Sequence, residues 1–316
     1  MPRKKLSYWE RREKERYKTI EKEMKNQEAY TLRQYRKMSD DINKDVYAMY
    51  AKYAEENALT LVEARKVLNK TETKNFHRKM KAYRKELREG KNTADINRKI
   101  SAMEKRSKIK RLDAINMEIE SRIALQASRQ VDQYANYKKR VAKSSFALSQ
   151  ASLLKKIDVR PRLDTLTNTA LTAMTNYPLD GQYFSEKIWN DTAYVAQKAQ
   201  YEVLNGIVTG QHVRTTAQNL DKIMGRGYKN AERLIRTETT LIIAQAGLES
   251  FKSVDVEMYE YAAIMDERTS SICREFDGKR FKVSEGVSGV NMPSMHANCR
   301  SVIVPVFEDD DLDNLT

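Results

Sequence analysis

From residue 7 to residue 57 the chain contains neither proline nor glycine. Without a residue that removes a backbone donor or favours a left-handed turn, nothing local interrupts a helix over that span. Leu32, Tyr35, Ile42, Val46, Met49 and Tyr53 recur at steps of three, four and seven, which places them on one helical stripe. Polar Ser39 takes the heptad place between Tyr35 and Ile42. Unbroken, such a helix is roughly 75 Å long at 1.5 Å per residue. Breakers are scarce throughout, with 5 Pro and 10 Gly among 316 residues, so long helices are the expected theme. The longest apolar run, around Thr240–Ala244, is far short of the ~20 residues of a membrane span.

Further along, Thr60-Leu-Val-Glu63 has the form of a capping box opening a short helix through Leu68. The next helical stretch, 71–89, stops at Gly90, and Asn92-Thr93 caps a helix carrying Ile96, Ile100, Met103, Leu112, Ile115, Ile119 and Ile123 toward Tyr137. Two long helices around a short insertion make residues 1–143 a hairpin or an elongated bundle. His77 has no neighbouring His or Cys and reads as a surface residue. Residues 144–182, where Pro161, Pro178 and Gly181 appear, read as a junction with short helices. A helix then starts at Ser185 and is interrupted by Gly206 and Gly210; another, from Val213, ends before Gly225-Arg-Gly227; a third runs from Tyr228 or Ala231 to Phe251. Within the last, Arg236 or Glu238 needs a partner if buried, expected from the segment that follows.

After Asp255 the period shifts to that of strands, at 257–265, 279–283 and 300–305. The fold class expected is therefore mainly α: a long helical N-terminal region, then an α+β domain over 183–306 with a small antiparallel sheet. An acidic tail, 307–316, closes the chain.

Charge divides unevenly. Residues 1–150 hold 39 Lys and Arg against 21 Asp and Glu, a net +18, while residues 151–316 hold 19 against 23, a net −4. A basic half of this kind suits a polyanionic partner such as double-stranded DNA, with Arg3, Lys4, Lys5, Arg11 and Arg12 as candidate contacts. Glu is interleaved throughout, so a plain solvated helical surface is the competing reading. The Pro2-Arg-Lys-Lys5 start is followed by charge instead of an apolar segment, and the expectation is a protein made in the cytoplasm with reduced cysteines.

Chemistry concentrates between Asp266 and Arg300, where both cysteines and one of three histidines lie. Cys273, His296 and Cys299 form Cys-x22-His-x2-Cys, three soft ligands of the four that Zn²⁺ prefers. Ser270 stands where a Cys-x2-Cys pair would need a cysteine, and Asp266 or Asp277 is the available substitute. Bound zinc, thiol–imidazole packing, and a disulfide formed in an oxidising environment are all compatible with this spacing. Cys273 with His296 also fits a nucleophile and its base, but residues 151–316, which carry them, hold no Glu-x-Glu pair or Gly-rich phosphate loop to support nucleotide chemistry. Asp266, Arg268 and Asp277 read as builders of turns and ion pairs.

Four motifs follow in order: Arg236-Thr237-Glu238; Asp266-x-Arg268-Thr269-x3-Cys273; Asp277-Gly278-Lys-x-Phe281; and Pro293-x2-His296-x-Asn298-Cys299-Arg300. Together, over roughly residues 180 to 305, they closely resemble the phage Mu F-like head morphogenesis family of minor capsid (minor head) proteins. The Tyr8-Trp9-Glu-Arg-Arg12 opening and Asn57–Ala64 resemble longer members from phages of Gram-positive bacteria. Members often carry cysteines where Ser270 and Ser301 stand here, a departure that weakens a metal site and leaves the fold expectation intact. The resemblance implies a non-enzymatic virion protein without a required cofactor, present in few copies inside the head near the portal vertex. Its implied partners are the portal protein, capsid or scaffolding protein and packaged double-stranded DNA, with no membrane. The alternatives are a phage-encoded effector enzyme, ADP-ribosyl transferase-like or nuclease, and a zinc-binding interaction module.

Overall fold

The computed structural model describes residues 7–54, 65–88, 90, 93–157 and 165–307. The Thr60–Glu63 capping box, Arg3, Lys4, Lys5 and the acidic tail from Glu308 lie outside the described residues. Helix α1 spans Tyr8–Ala54, as the absence of breakers requires. Ser7 starts it with a reciprocal cap, its Oγ accepting from Glu10 N at 3.1 Å while Ser7 N donates to the Glu10 carboxylate at 2.6 Å. Helix α2, Lys70–Leu87, opens on a second such box between Asn69 and Glu72. Helix α3 is Ala94–Glu104 and helix α4 is Arg111–Ile157. Helices α5 (Asn168–Thr175), α6 (Phe184–Thr209) and α7 (Val213–Lys252) follow. The chain closes with β1 (Met258–Ala262), the short α8 (Ser271–Phe276), β2 (Arg280–Lys282) and β3 (Val302–Val306).

Several boundaries differ from those expected, each for a local reason. The helix expected to pass from Ile96 to Tyr137 breaks at residues 105–110, where Lys105, Arg106, Lys108, Lys110 and Arg111 crowd like charges within two turns. The chain there pairs instead with residues 66–68, through Leu68 N to Ile109 O at 2.8 Å and Arg111 N to Lys66 O at 2.9 Å. The short helix expected to run through Leu68 has therefore ended before Val67. Thr93 occupies the N-cap position of α3 without capping it; its hydroxyl donates to Leu87 O and Gly90 O, closing the end of α2. His77 is half-buried, with its ring 5.9 Å from that of Phe76.

The two helices expected on either side of Gly225-Arg-Gly227 are one continuous α7. A Cβ at Gly227 would meet Tyr35 Cε1 at 2.8 Å and Val195 Cγ2 at 3.0 Å, so glycine serves close helix packing here. Helix α6 likewise passes through Gly206 and ends at Gly210, whose φ of 65° is the left-handed conformation that terminates helices.

The chain forms two compact units. One is drawn from Met1–Ala29, Tyr134–Phe184 and Glu232–Thr316, the other from Tyr30–Gln133 and Ser185–Ala231. Helices α1, α4 and α7 each give residues to both, and the boundary expected at residue 143 falls inside α4.

In the second unit, Tyr35, Met38, Ile42 and Val46 of α1 bury against Ile119 and Ile123 of α4, Val195, Ala199 and Val203 of α6, and Leu220 and Met224 of α7. Each Val, Leu, Ile or Met side chain among them contributes about 1.5–3 kcal/mol on full burial. Ser39, the polar residue in the heptad stripe, is buried and donates to Asp221 Oδ1 at 2.5 Å. A neighbouring core joins Phe76, Met80 and Leu87 of α2 to Ile96, Ile100 and Met103 of α3 and to Leu125 of α4.

In the first unit, β1 is the central strand of an antiparallel sheet of order β2-β1-β3. Tyr259 faces Phe281 on one side and Pro305 on the other, and proline is tolerated because β3 is an edge strand. Tyr259 packs with Leu153, Leu248, Phe251 and Ile303, whereas Tyr261, two residues on, enters a separate cluster with Ala263, Cys273 and Cys299.

Candidate functional site

All four motifs lie in the first unit, where α7 carries one and the loops around the sheet carry the rest. Successive residues of a helix point about 100° apart, so Arg236 to Thr240 reach different neighbours. Arg236 is part-exposed and forms ion pairs with Glu28 at 2.7 Å and Glu232 at 2.9 Å. Glu238 is fully buried and accepts from Lys138 Nζ at 2.5 Å; that ammonium also lies 4.5 Å from the centre of the Phe184 ring. These ion pairs reach α1, α4 and α7 itself, where the sequence pointed to the following segment. The threonines make that connection instead. Thr237 Oγ1 accepts from Asn298 N at 3.1 Å, and Thr240 Oγ1 donates to Cys299 O at 2.5 Å.

The Asp266 loop is built by its own side chains. Arg300 donates two bonds to the Asp266 carboxylate, at 2.7 and 2.6 Å, a bidentate geometry that carbon-linked ammonium groups cannot reproduce. Arg268 N adds a third at 2.9 Å, and Thr269 Oγ1 accepts from Asp266 N while donating to Ile264 O. The Arg300 guanidinium holds the Asp266 carboxyl well below the usual carboxylate range. The Arg268 side chain is exposed and only grazes Asp266, at 3.8 Å. Asp277 Oδ1 accepts from Ala263 N at 2.8 Å, and Gly278 turns the chain into β2 with φ of 80°. Asn298 adopts φ of 60°, which asparagine tolerates better than most residues.

The third group is the thiol cluster. Cys273 Sγ lies 3.1 Å from His296 Nε2 and 3.8 Å from Cys299 Sγ, and the hydroxyl of Tyr261 is 3.2 Å and 3.9 Å from the two sulfurs. Both cysteines are buried and free. Cys299 can donate its S–H to a Cys273 thiolate, and that bond, aided by Ser270, Ser301 and Tyr261, lowers the Cys273 thiol below its ordinary value. The same bond, with burial, pushes Cys299 upward. Ser270 caps α8 by accepting from Cys273 N at 3.2 Å.

Alongside these loops runs a cleft of about 1090 Å³. Arg11, Lys14, Lys18 and Lys25 of α1 line it together with Arg236, Arg268 and Arg300, and Glu15, Glu21 and Glu28 are interspersed. Of the basic residues singled out in the sequence, Arg11 faces the cleft and Arg12 is paired with Glu15 at 3.1 Å. Lys138, Glu28, Tyr261 and Thr240 are functional neighbours that sequence reasoning missed. Lys138 sits in a Lys-Lys-Arg run indistinguishable from the many exposed ones, and Tyr261 reads simply as a strand aromatic.

Long helices closed by a three-stranded sheet, with the ordered polar motifs tying its loops to α7, define a helix-rich α+β protein. Residues 197–304, about a third of the chain, match the family described as Phage Mu protein F like protein. The family points to a phage head-related protein. No curated protein and no solved structure matches the chain. Among the described residues no helix is long and apolar enough to cross a membrane.

Proposed function

We propose that this is a minor head protein that acts in head morphogenesis at the portal vertex, without catalysing a reaction. The observation that carries the reading is the Mu F-like stretch over residues 197–304. The geometry of its motifs supports a non-enzymatic role: Glu238 and Asp266 are each consumed by a basic partner, and Thr237 and Asp277 hold backbone N–H groups. Portal, capsid or scaffolding protein are the partners this reading supplies, and the assembling or mature head is its location. The full-length protein, tagged and recovered from infected cells, is expected to bring down the portal protein and to be present in purified procapsids or virions. Its absence from both particles would overturn the reading.

Double-stranded DNA is the second partner in this proposal, favoured by the basic face of the α1 cleft. Arg11, Lys14, Lys18 and Lys25 recur at helical spacing along it, a geometry suited to phosphates without base reading. Because residues 1–150 do not form a unit of their own, the test uses the full chain. Retention on duplex DNA at low salt is expected, and the combined Arg11→Glu, Lys14→Glu and Lys18→Glu variant should flatten the log–log salt dependence by about one per residue. Flow-through of the folded wild-type chain at low salt would remove DNA from the proposal.

A further inference from the structure

We propose that Cys273, His296 and Cys299 bind one Zn²⁺ ion, with a solvent molecule from the cleft as fourth ligand. The three donor atoms lie within 4.8 Å of one another. Two thiolates at ~2.3 Å from a tetrahedral ion are about 3.8 Å apart, and the two sulfurs here are separated by 3.8 Å. That distance is far beyond the ~2.05 Å of a disulfide. His296 and Cys273 stand at 3.1 Å and need part by only a few tenths of an ångström to admit the ion between them.

The imidazole supplies a second, independent observation. His296 Nδ1 lies 2.9 Å from Ala297 O, so an N–H on that nitrogen donates to the carbonyl and leaves the Nε2 lone pair directed at Cys273. A histidine whose far nitrogen is fixed by a backbone carbonyl is the arrangement that orients metal-binding imidazoles. The Tyr261 hydroxyl is placed to donate to the sulfurs and so to stabilise thiolate charge.

Neither carboxylate suggested by the sequence completes the set. Asp266 is held by Arg300, and Asp277 bonds Ala263 N. His296 and Cys299 do line the cleft, which gives solvent access to the remaining position. Two thiolates and one imidazole select zinc over hard oxygen-seeking cations. Bound there, the ion would link α8 to the segment entering β3, and Cys299 is in turn fastened to α7 through Thr240. This inference is independent of the portal and DNA readings.

The test is metal analysis of the full-length protein, purified without chelator after growth with zinc, followed by replacement of Zn²⁺ with Co²⁺. One zinc per chain is expected, and the cobalt form should show thiolate-to-cobalt charge transfer with the visible bands of a tetrahedral site. His296→Asn and Cys299→Ala, each checked for folding by far-ultraviolet circular dichroism, should lose the metal, and Arg268→Ala should keep it. A chelator should lower the melting temperature of the wild-type chain. The cobalt spectrum reports sulfur ligation in the wild-type protein, so it decides the matter even if a variant fails to fold. A wild-type chain without zinc and without the cobalt bands would overturn the proposal, leaving a packed thiol–imidazole cluster. Full zinc retention in both ligand variants would overturn it as well.

Discussion

Replacing Lys138 by methionine is expected to destabilise the protein by about 3–5 kcal/mol, because it leaves a buried carboxylate without its cation. The side chains of Lys138 and Glu238 are both 0% exposed, and Glu238 Oε2 accepts from Lys138 Nζ at 2.5 Å. The other oxygen, Oε1, is buried with no hydrogen bond among the described residues. Little therefore remains to solvate the charge once the ammonium is gone. Glu238→Leu alone should cost a comparable amount by removing the carboxylate that neutralises the buried Lys138 ammonium. The double variant Lys138→Met with Glu238→Leu should recover most of the loss, because taking two charges from water offsets much of what their attraction contributes. Denaturant midpoints of the three variants measure this directly. A double variant as unstable as the sum of the singles would show that the pair is not the interaction being tested.

Replacing Arg16 by leucine should have the second large effect, again about 3–5 kcal/mol. Arg16 forms an ion pair with Glu13, both side chains being almost wholly buried, and donates to Ser145 O at 3.3 Å. Burial is the leading influence on both: it raises the Glu13 carboxyl and lowers the Arg16 guanidinium from their ordinary values. The sign for Glu13 follows. A carboxyl that is easier to protonate in the folded state contributes stability below its unfolded pKa, and that contribution disappears as pH rises through the raised folded value. The cost of Arg16→Leu should therefore shrink as pH falls and Glu13 takes up its proton. Denaturation at neutral and acidic pH tests it, and a loss independent of pH would refute the assignment to a stranded Glu13 charge. Gly247 leaves the room that Arg16 uses, since a Cβ there would meet Nη2 at 2.9 Å.

Both pairs show why the site was only partly legible in the sequence. The ordered motifs carried the likeness that the match over residues 197–304 repeats, and they marked the loops, because Asp266, Asp277, Gly278 and Asn298 act through local turns whose chemistry is written within a few residues. Partners across the chain were not legible. Lys138 lies 100 positions from Glu238 and Arg16 lies 129 from Ser145, and nothing in either local run separates a buried cation from an exposed one. The ion pairs of Arg236 with Glu28 and of Glu238 with Lys138 were not legible for the same reason. Helical phase gives that role to Thr237 and Thr240.

Glycine was the other source of error. Gly206, Gly225 and Gly227 read as breaks because local propensity counts their cost, about 1 kcal/mol each in a helix interior. What outweighs that cost at Gly227 is contact with Tyr35 and Val195, far away in sequence.

The sequence by itself determined the unbroken first helix, the three strands and their order along the chain, and the gathering of two thiols and an imidazole into one loop region. These follow from period, breaker content and turn chemistry, all local properties. Tertiary structure alone decided that the units take alternate stretches of α1, α4 and α7, that the threonines of α7 clasp the loops, and that three ligand atoms converge within 4.8 Å. Those outcomes depend on which helical faces meet and how closely, and burial and distance are properties of pairs of residues that no single stretch of sequence contains.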